Sequence, residues 1–169
     1  MRHCGRPAAG FTLIELLVVI VIIGVIAGTA VLAVSDSGPR ELRSEGRRLL
    51  QVLEWATEEA IVRQAQLGVF IDDNGYQLNE WSPTDRRWRP LAGDDAPVAV
   101  VWSGQLRALV TVEGGPPRKS GRWPQLLFLA SGEQTPFRVR LELADRPLPA
   151  VTIAGRGDGR LRWQEEGAN

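Results

Sequence analysis

A single carboxylate, Glu15, sits inside an apolar stretch running from Phe11 to Val34, and no other side chain in this sequence is placed at comparable cost. Nineteen residues without a charge follow it, from Leu16 to Val34. An acid within such a helix costs on the order of 2.5–3.5 kcal/mol in a bilayer, so it calls for a function. Its natural chemistry is an ion pair with an amine, which relieves the desolvation cost of both charges. The other reactive groups are few. The only histidine, His3, and the only cysteine, Cys4, both precede the apolar run. Asp72-Asp73, Asp94-Asp95 and Glu58-Glu59 are sequence neighbours in turns or on a helix, and nothing marks them as an acid/base dyad or a calcium loop. Arg156-Gly157-Asp158 spells an adhesion tripeptide but reads as a Gly-rich turn. Gly159-Arg160-Leu161-Arg162 is basic, yet Asp158, Glu165 and Glu166 surround it, so the favoured reading is a solvated strand end.

The element that positions Glu15 is the run itself. Counted from Phe11 it has twenty-four residues, about 36 Å as a helix, enough to cross a hydrocarbon core of about 30 Å. Three ordinary readings compete for it. A secretory signal fits the basic start (Arg2, Arg6) and a cleavage site at Val31-Leu32-Ala33, but the run is too long and an internal Glu is foreign to that pattern. A lipoprotein signal fails because Cys4 lies before the run. A plain membrane anchor fits and leaves Glu15 unexplained.

A short basic leader ending in Gly10, then Phe11-Thr12-Leu13-Ile14-Glu15 opening an apolar helix, closely resembles the class III signal of type IV pilin-like proteins. The resemblance implies that a membrane-embedded prepilin peptidase cuts between Gly10 and Phe11 and that Phe11 becomes N-methylated. It divides the chain into a leader (1–10), a transmembrane and assembly helix (11–34) and a globular domain (35–169). Cleavage would leave a positive amine on Phe11 one helical turn from Glu15. In a staggered stack, Glu15 of one subunit then meets the amine of a neighbour and pins the register.

The chain has 169 residues, with Lys+Arg and Asp+Glu both at 20. Removing the leader takes away Arg2 and Arg6, leaving 18 basic against 20 acidic residues, which is no footprint for nucleic acid. Lys119 is the only lysine. A mature chain without His3 and Cys4 has no disulfide, no zinc site and no Ser–His–Asp or Cys–His nucleophile. No cofactor is expected, and a membrane-anchored enzyme is the weakest reading. Arg2 and Arg6 place the amino terminus in the cytoplasm and the globular domain in the periplasm of a Gram-negative cell.

Beyond the anchor, Ser35 to Pro39 is a break, with Asp36 or Ser37 as cap and Pro39 in the next first turn. Residues 40–66 predict an amphipathic helix burying Leu42, Leu49, Leu53, Ala56 and Ala60, widened by Leu50 and Ile61. Glu59 and Arg63 are spaced for an i, i+4 pair. Asn74-Gly75 predicts a tight hairpin turn through positive φ angles, joining strands at Val69–Ile71 and Tyr76–Leu78. Further strands are predicted at 87–91, 98–102, 106–112, 126–130, 137–143, 151–154 and 161–163, with one wet face on 137–143. Pro and Gly density makes 114–124 a loop without regular pairing. Most of the six tryptophans are expected in the core, one or two on a partner. The order is α+β: an anchor helix and an amphipathic helix, then antiparallel strands cradling the latter, the layout of pilin-like folds.

Pro124 to Leu141 reads locally as strand, glycine turn and strand. Within it Gly132-Glu133 and Thr135-Pro136-Phe137 also resemble the segment of H-type minor pseudopilins of type II secretion systems. That resemblance implies a subunit of a short periplasmic pseudopilus that helps export folded proteins across the outer membrane. Its implied partners are the major pseudopilin, other minor pseudopilins, the prepilin peptidase/N-methyltransferase and the inner-membrane secretion platform. A rival reading, a type IV minor pilin taking up DNA through Arg160 and Arg162, rests on a resemblance of Gly159–Arg162 to a short basic motif.

Overall fold

The computed structural model describes residues 13–33, 37–91, 99–113, 117–118 and 121–167, and the chain divides into two units at Ser37. The first contains α1 (Leu13–Ala33), 21 residues or about 32 Å long, with Glu15 its only charge. Among the described residues no helix is long and apolar enough to cross a membrane. The α1 backbone as a whole has the required length.

The second unit begins with α2 (Gly38–Arg63). Its apolar stripe is buried as the spacing requires: Leu42, Leu49, Leu53, Ala56 and Ala60 are each at most 1% exposed, with Val52 beside them. Leu50 packs at the margin of this core, whereas Ile61 is exposed and does not extend the stripe. The helix stops three residues short of the predicted end. Gln64 takes a left-handed φ of 52°, with the Gln64 and Ala65 amides donating to the carbonyls of Ile61 and Ala60. A glutamine in the place usually held by glycine gave the sequence no stop signal. The Glu59–Arg63 pair forms as predicted, and Arg63 also approaches Glu80 at 3.8 Å.

Among the described residues ten strands follow, in two antiparallel sheets. The first combines β1 (Leu67–Ile71), β2 (Gly75–Ser82), β3 (Arg87–Pro90), β4 (Ala99–Val101) and β7 (Leu126–Phe128), in the order β3-β2-β1-β7 with β4 beside the start of β2. The second runs β10 (Leu161–Glu166), β9 (Arg146–Gly155), β8 (Phe137–Leu143), β5 (Leu106–Val112), β6 (Pro117–Arg118). The core lies between α2 and the inner faces of these sheets, filled by Leu67, Val69, Leu78, Leu126, Phe128, Val139, Leu141 and Ile153.

Several expectations need correction. The hairpin at Asp72–Gly75 is present, but neither Asn74 nor Gly75 has positive φ. Asp72 makes the turn instead, its Oδ1 accepting the Asn74 and Gly75 amides at 2.8 and 3.0 Å. Gly75 is needed for close approach: a Cβ there would stand 1.9 Å from the Val100 carbonyl oxygen on β4. Gly75→Ala should therefore displace β4 and destabilise the domain by about 1–3 kcal/mol, read from urea unfolding of residues 38–169. In the 114–124 stretch, expected to lack pairing, Pro117 and Arg118 form a short edge on β5 opposite Thr111 and Val110. Proline is tolerated because an edge strand leaves one side of its backbone unpaired. β9 begins five residues earlier than the prediction, since Pro147 and Pro149 masked its first half in the sequence.

The outer face of β8 is not uniformly wet either. Arg138 is exposed, but Glu142 is 7% exposed, held by Arg140 at 3.3 Å and near Arg107 at 3.9 Å. Of the tryptophans, only Trp102 is fully buried, its Nε1 donating to the Asp72 carbonyl at 3.0 Å. Trp55 and Trp163 pack against the core, while Trp81, Trp88 and Trp123 form a ring cluster in which Trp123 is 62% exposed.

Candidate functional site

Gly10 and Phe11, the expected cleavage junction, lie outside the described residues. Glu15 is in the first turn of α1, where unpaired amides give a helix a partial positive charge that favours a carboxylate. The large apolar side chains from Leu13 to Val25 are 44–83% exposed all round the helix. A helix apolar on every side needs a surrounding apolar medium or other helices. Glu15 is thus the one acid of a described surface that is otherwise apolar and exposed.

The Gly132–Phe137 segment does something that its local pattern hid. β7 belongs to the first sheet and β8 to the second, so the connection between them ties the two sheets together. Gly132 turns the chain with φ +83°, its amide donating to the Leu129 carbonyl at 2.9 Å, and the Leu129 amide donates to the Glu133 carbonyl at 2.9 Å. Thr135 then clamps β7 twice. Its amide donates to the Leu127 carbonyl at 2.9 Å, and its Oγ1 accepts the Leu127 amide at 3.2 Å. The Pro136 carbonyl accepts the Glu113 amide at 3.0 Å, after which Phe137, 5% exposed, enters the core edge-on to Phe128 with centroids 6.5 Å apart. Glu133 is the member turned to solvent, accepting from the Ser131 hydroxyl at 3.3 Å.

Two glutamines complete this junction, and the sequence reading missed both. Gln134 is 4% exposed; its Nε2 donates to the Arg156 carbonyl at 2.8 Å and its backbone amide to the Gly157 carbonyl at 3.3 Å. Gln125, 2% exposed, extends β7 by pairing both its amide atoms with the backbone of Ile71, at 2.6 and 3.1 Å. Such side-chain mimicry of a strand has no periodic signature. Its only hint is a polar residue directly before an apolar run.

Gln134 also brings the Gly132–Phe137 segment against the Arg156–Arg160 turn, which the sequence treats as separate. That turn closes through the Arg156 amide on the Arg160 carbonyl at 3.0 Å. Arg160 projects outward near Asp158 at 3.7 Å. Arg162 lies on the outer face of the second sheet, in register with Ala154 and Arg138. These three help line an open groove of about 810 Å³ together with Glu113 and Gln164. Along the same face Arg140 crosses to Glu166 and Glu142. The hydrogen bond to Glu166, and then that to Glu142, hold its guanidinium pKa above the usual arginine range. Tyr76 is pushed up to about 12, chiefly by burial, with Glu45 adding to the rise and Arg48 opposing it. That keeps it a neutral phenol, suited to packing on Trp102 at 5.2 Å. Among the described residues no group of three or more His, Cys, Asp or Glu side chains is arranged to hold a metal.

Comparison with known proteins bears on the family and the fold. Residues 5–31 match the prokaryotic N-terminal methylation motif, and residues 45–159 match the family described as Type II transport protein GspH. A protein named Type II secretion system protein H from Pseudomonas aeruginosa is 40% identical over 162 residues, covering 91% of this chain and 93% of that relative. One of the same name from Aeromonas hydrophila is 29% identical, covering 94% of each. The fold is that of the minor pseudopilin EpsH of Vibrio cholerae, with a TM-score of 0.66 at 24% identity over 76% of this chain and 99% of that one. None of this supports DNA uptake, and Arg160 and Arg162 remain strand-end residues. With a methylation motif at its start and the GspH match over most of its globular unit, the chain belongs to the GspH family of type II secretion.

Proposed function

We propose that cleavage after Gly10 converts this chain into a minor pseudopilin that adds to a periplasmic pseudopilus and helps move folded proteins across the outer membrane. The observation that carries this reading is α1: a 21-residue helix, apolar on every described side, with one acid in its first turn. The helix holds the subunit in the inner membrane with its amino terminus cytoplasmic. Glu15 meets the methylated Phe11 amine of a neighbour, forming an ion pair that a low dielectric strengthens. The sheet domain has a structural task, choosing neighbours among the major and minor pseudopilins, and carries out no reaction. Prepilin peptidase and the inner-membrane platform act on the subunit before and during assembly.

The reading is tested by complementation. In a Gram-negative host deleted for its own H-type subunit, this chain should return the exported protein from the periplasm to the culture medium. Stable expression with the exported protein still trapped in the periplasm would count against it, provided that the Pseudomonas aeruginosa relative works in the same host.

A further inference from the structure

The solvent-facing line of α2 carries a charge gradient that no contact within the described residues explains. At 3.6 residues per turn, Arg40, Arg47, Gln51, Glu54 and Glu58 fall on one stripe opposite the buried leucines, and all five are exposed. The stripe is basic before Gln51, with Arg43 and Arg48 at its flanks and half-buried Glu41 on the Arg48 side, and acidic after it. Arg43 pairs with Glu165 at 2.9 Å, but among the described residues no carboxylate lies within salt-bridge distance of Arg40, Arg47 or Arg48.

This arrangement is unfavourable on three counts. Arginines three and four residues apart repel along a helix. Arg40 stands at the positive end of the helix dipole. On the reading that 11–34 is a membrane anchor, on which this inference rests, the arginines also fall within about 15–20 residues of its translocated end, where basic residues are disfavoured. Each cost is small at an exposed site, and Glu41 in the same first turn offsets part of the dipole cost; an anionic partner outside the chain would offset the rest.

We propose that the arginine face of α2 binds the anionic phospholipid headgroups of the bilayer that holds the anchor. The sign of the gradient selects this partner. On this stripe the basic turns are those nearest the anchor along the chain, since Gly38 follows Val34 by four residues, and its two acids come later, while Glu41 and buried Glu45 lie off it. An anionic plane attracts the first and repels the second. The arginines and Ser44 line an open hollow of about 470 Å³, and guanidinium forks match phosphate oxygens in pairs.

The test uses the full-length chain with Cys4→Ser and Ser44→Cys, spin-labelled at position 44 and reconstituted in vesicles. One set is phosphatidylcholine alone; the other is one-third phosphatidylglycerol. Collision of the label with a water-soluble relaxing agent should be about three-fold lower in the anionic vesicles. The difference should close at about 1 M salt, where the Debye length is about 3 Å. It should vanish in Arg40→Gln/Arg47→Gln/Arg48→Gln and persist in Glu54→Gln/Glu58→Gln. Equal accessibility in the two lipids overturns the inference and leaves a neighbouring subunit's carboxylates as the partner. Loss of the difference to millimolar inorganic phosphate also overturns it, in favour of a free anion. Release of the chain by alkaline washing is a separate result that overturns the anchor reading as well.

Discussion

Glu15→Ala should still insert and lose its leader, yet enter the pseudopilus poorly and support little export when it is the only H-type subunit present. The substitution removes a charge from a helix whose other described side chains are apolar, so insertion becomes easier. On the proposed pairing the cost should appear at assembly, where the amine of a neighbouring Phe11 would be left buried without its counter-charge. Breaking one partner of a buried pair costs about 3–5 kcal/mol, more than a hundred-fold in incorporation. Gly10→Ala separates the two stages, because it should leave the chain at its full length and unmethylated. Membrane fractionation, mass of the mature chain and co-purification with other pseudopilins give the three readouts. Normal export by Glu15→Ala would remove the register pin from the account while leaving the anchor untouched.

Phe137→Ala should be the most destabilising single change in the globular unit, at about 3–5 kcal/mol. Three features concentrate the effect there. The ring is 5% exposed and meets Phe128, a residue of the other sheet, at 6.5 Å. Its Cε1 would lie 2.3 Å from a Cβ at Gly155, so the ring rests directly on the β9 backbone. It also follows the Thr135 clamp, so losing it loosens the one connection between β7 and β8. Domains of this size have about 5–15 kcal/mol in total, so the variant should show a populated unfolded fraction and proteolytic loss. Urea unfolding of residues 38–169 checks it: the midpoint should fall with the slope unchanged. A loss under about 1 kcal/mol would mean that the two sheets are held together elsewhere.

Much of the fold follows from periodicity. The α2 stripe, the strands at 106–112 and 137–143 and the α+β order come from apolar residues repeating at 3.6 or 2 positions, a signal that survives without knowledge of neighbours. Where sequence and structure part, a long-range contact has overruled a local rule. Gly75 reads as a turn glycine, but the Val100 carbonyl twenty-five residues away is what requires it. Gln64 ends α2 with a conformation usually given to glycine. Glu142 looks like a wet-face acid until Arg140 and Arg107 cover it.

The chain's own order of residues determined that an apolar helix bears one acid four positions after Phe11, and that a helix and antiparallel strands follow. Both are local properties, fixed by hydrophobicity and spacing. Only the tertiary structure decided that Gly132–Phe137 bridges two sheets, that Gln134 fastens it to the Arg156–Arg160 turn, and that Gln125 pairs with the Ile71 backbone as an extra strand residue. Those depend on which strands become neighbours, and pairing energies between distant segments leave no periodic trace in either one.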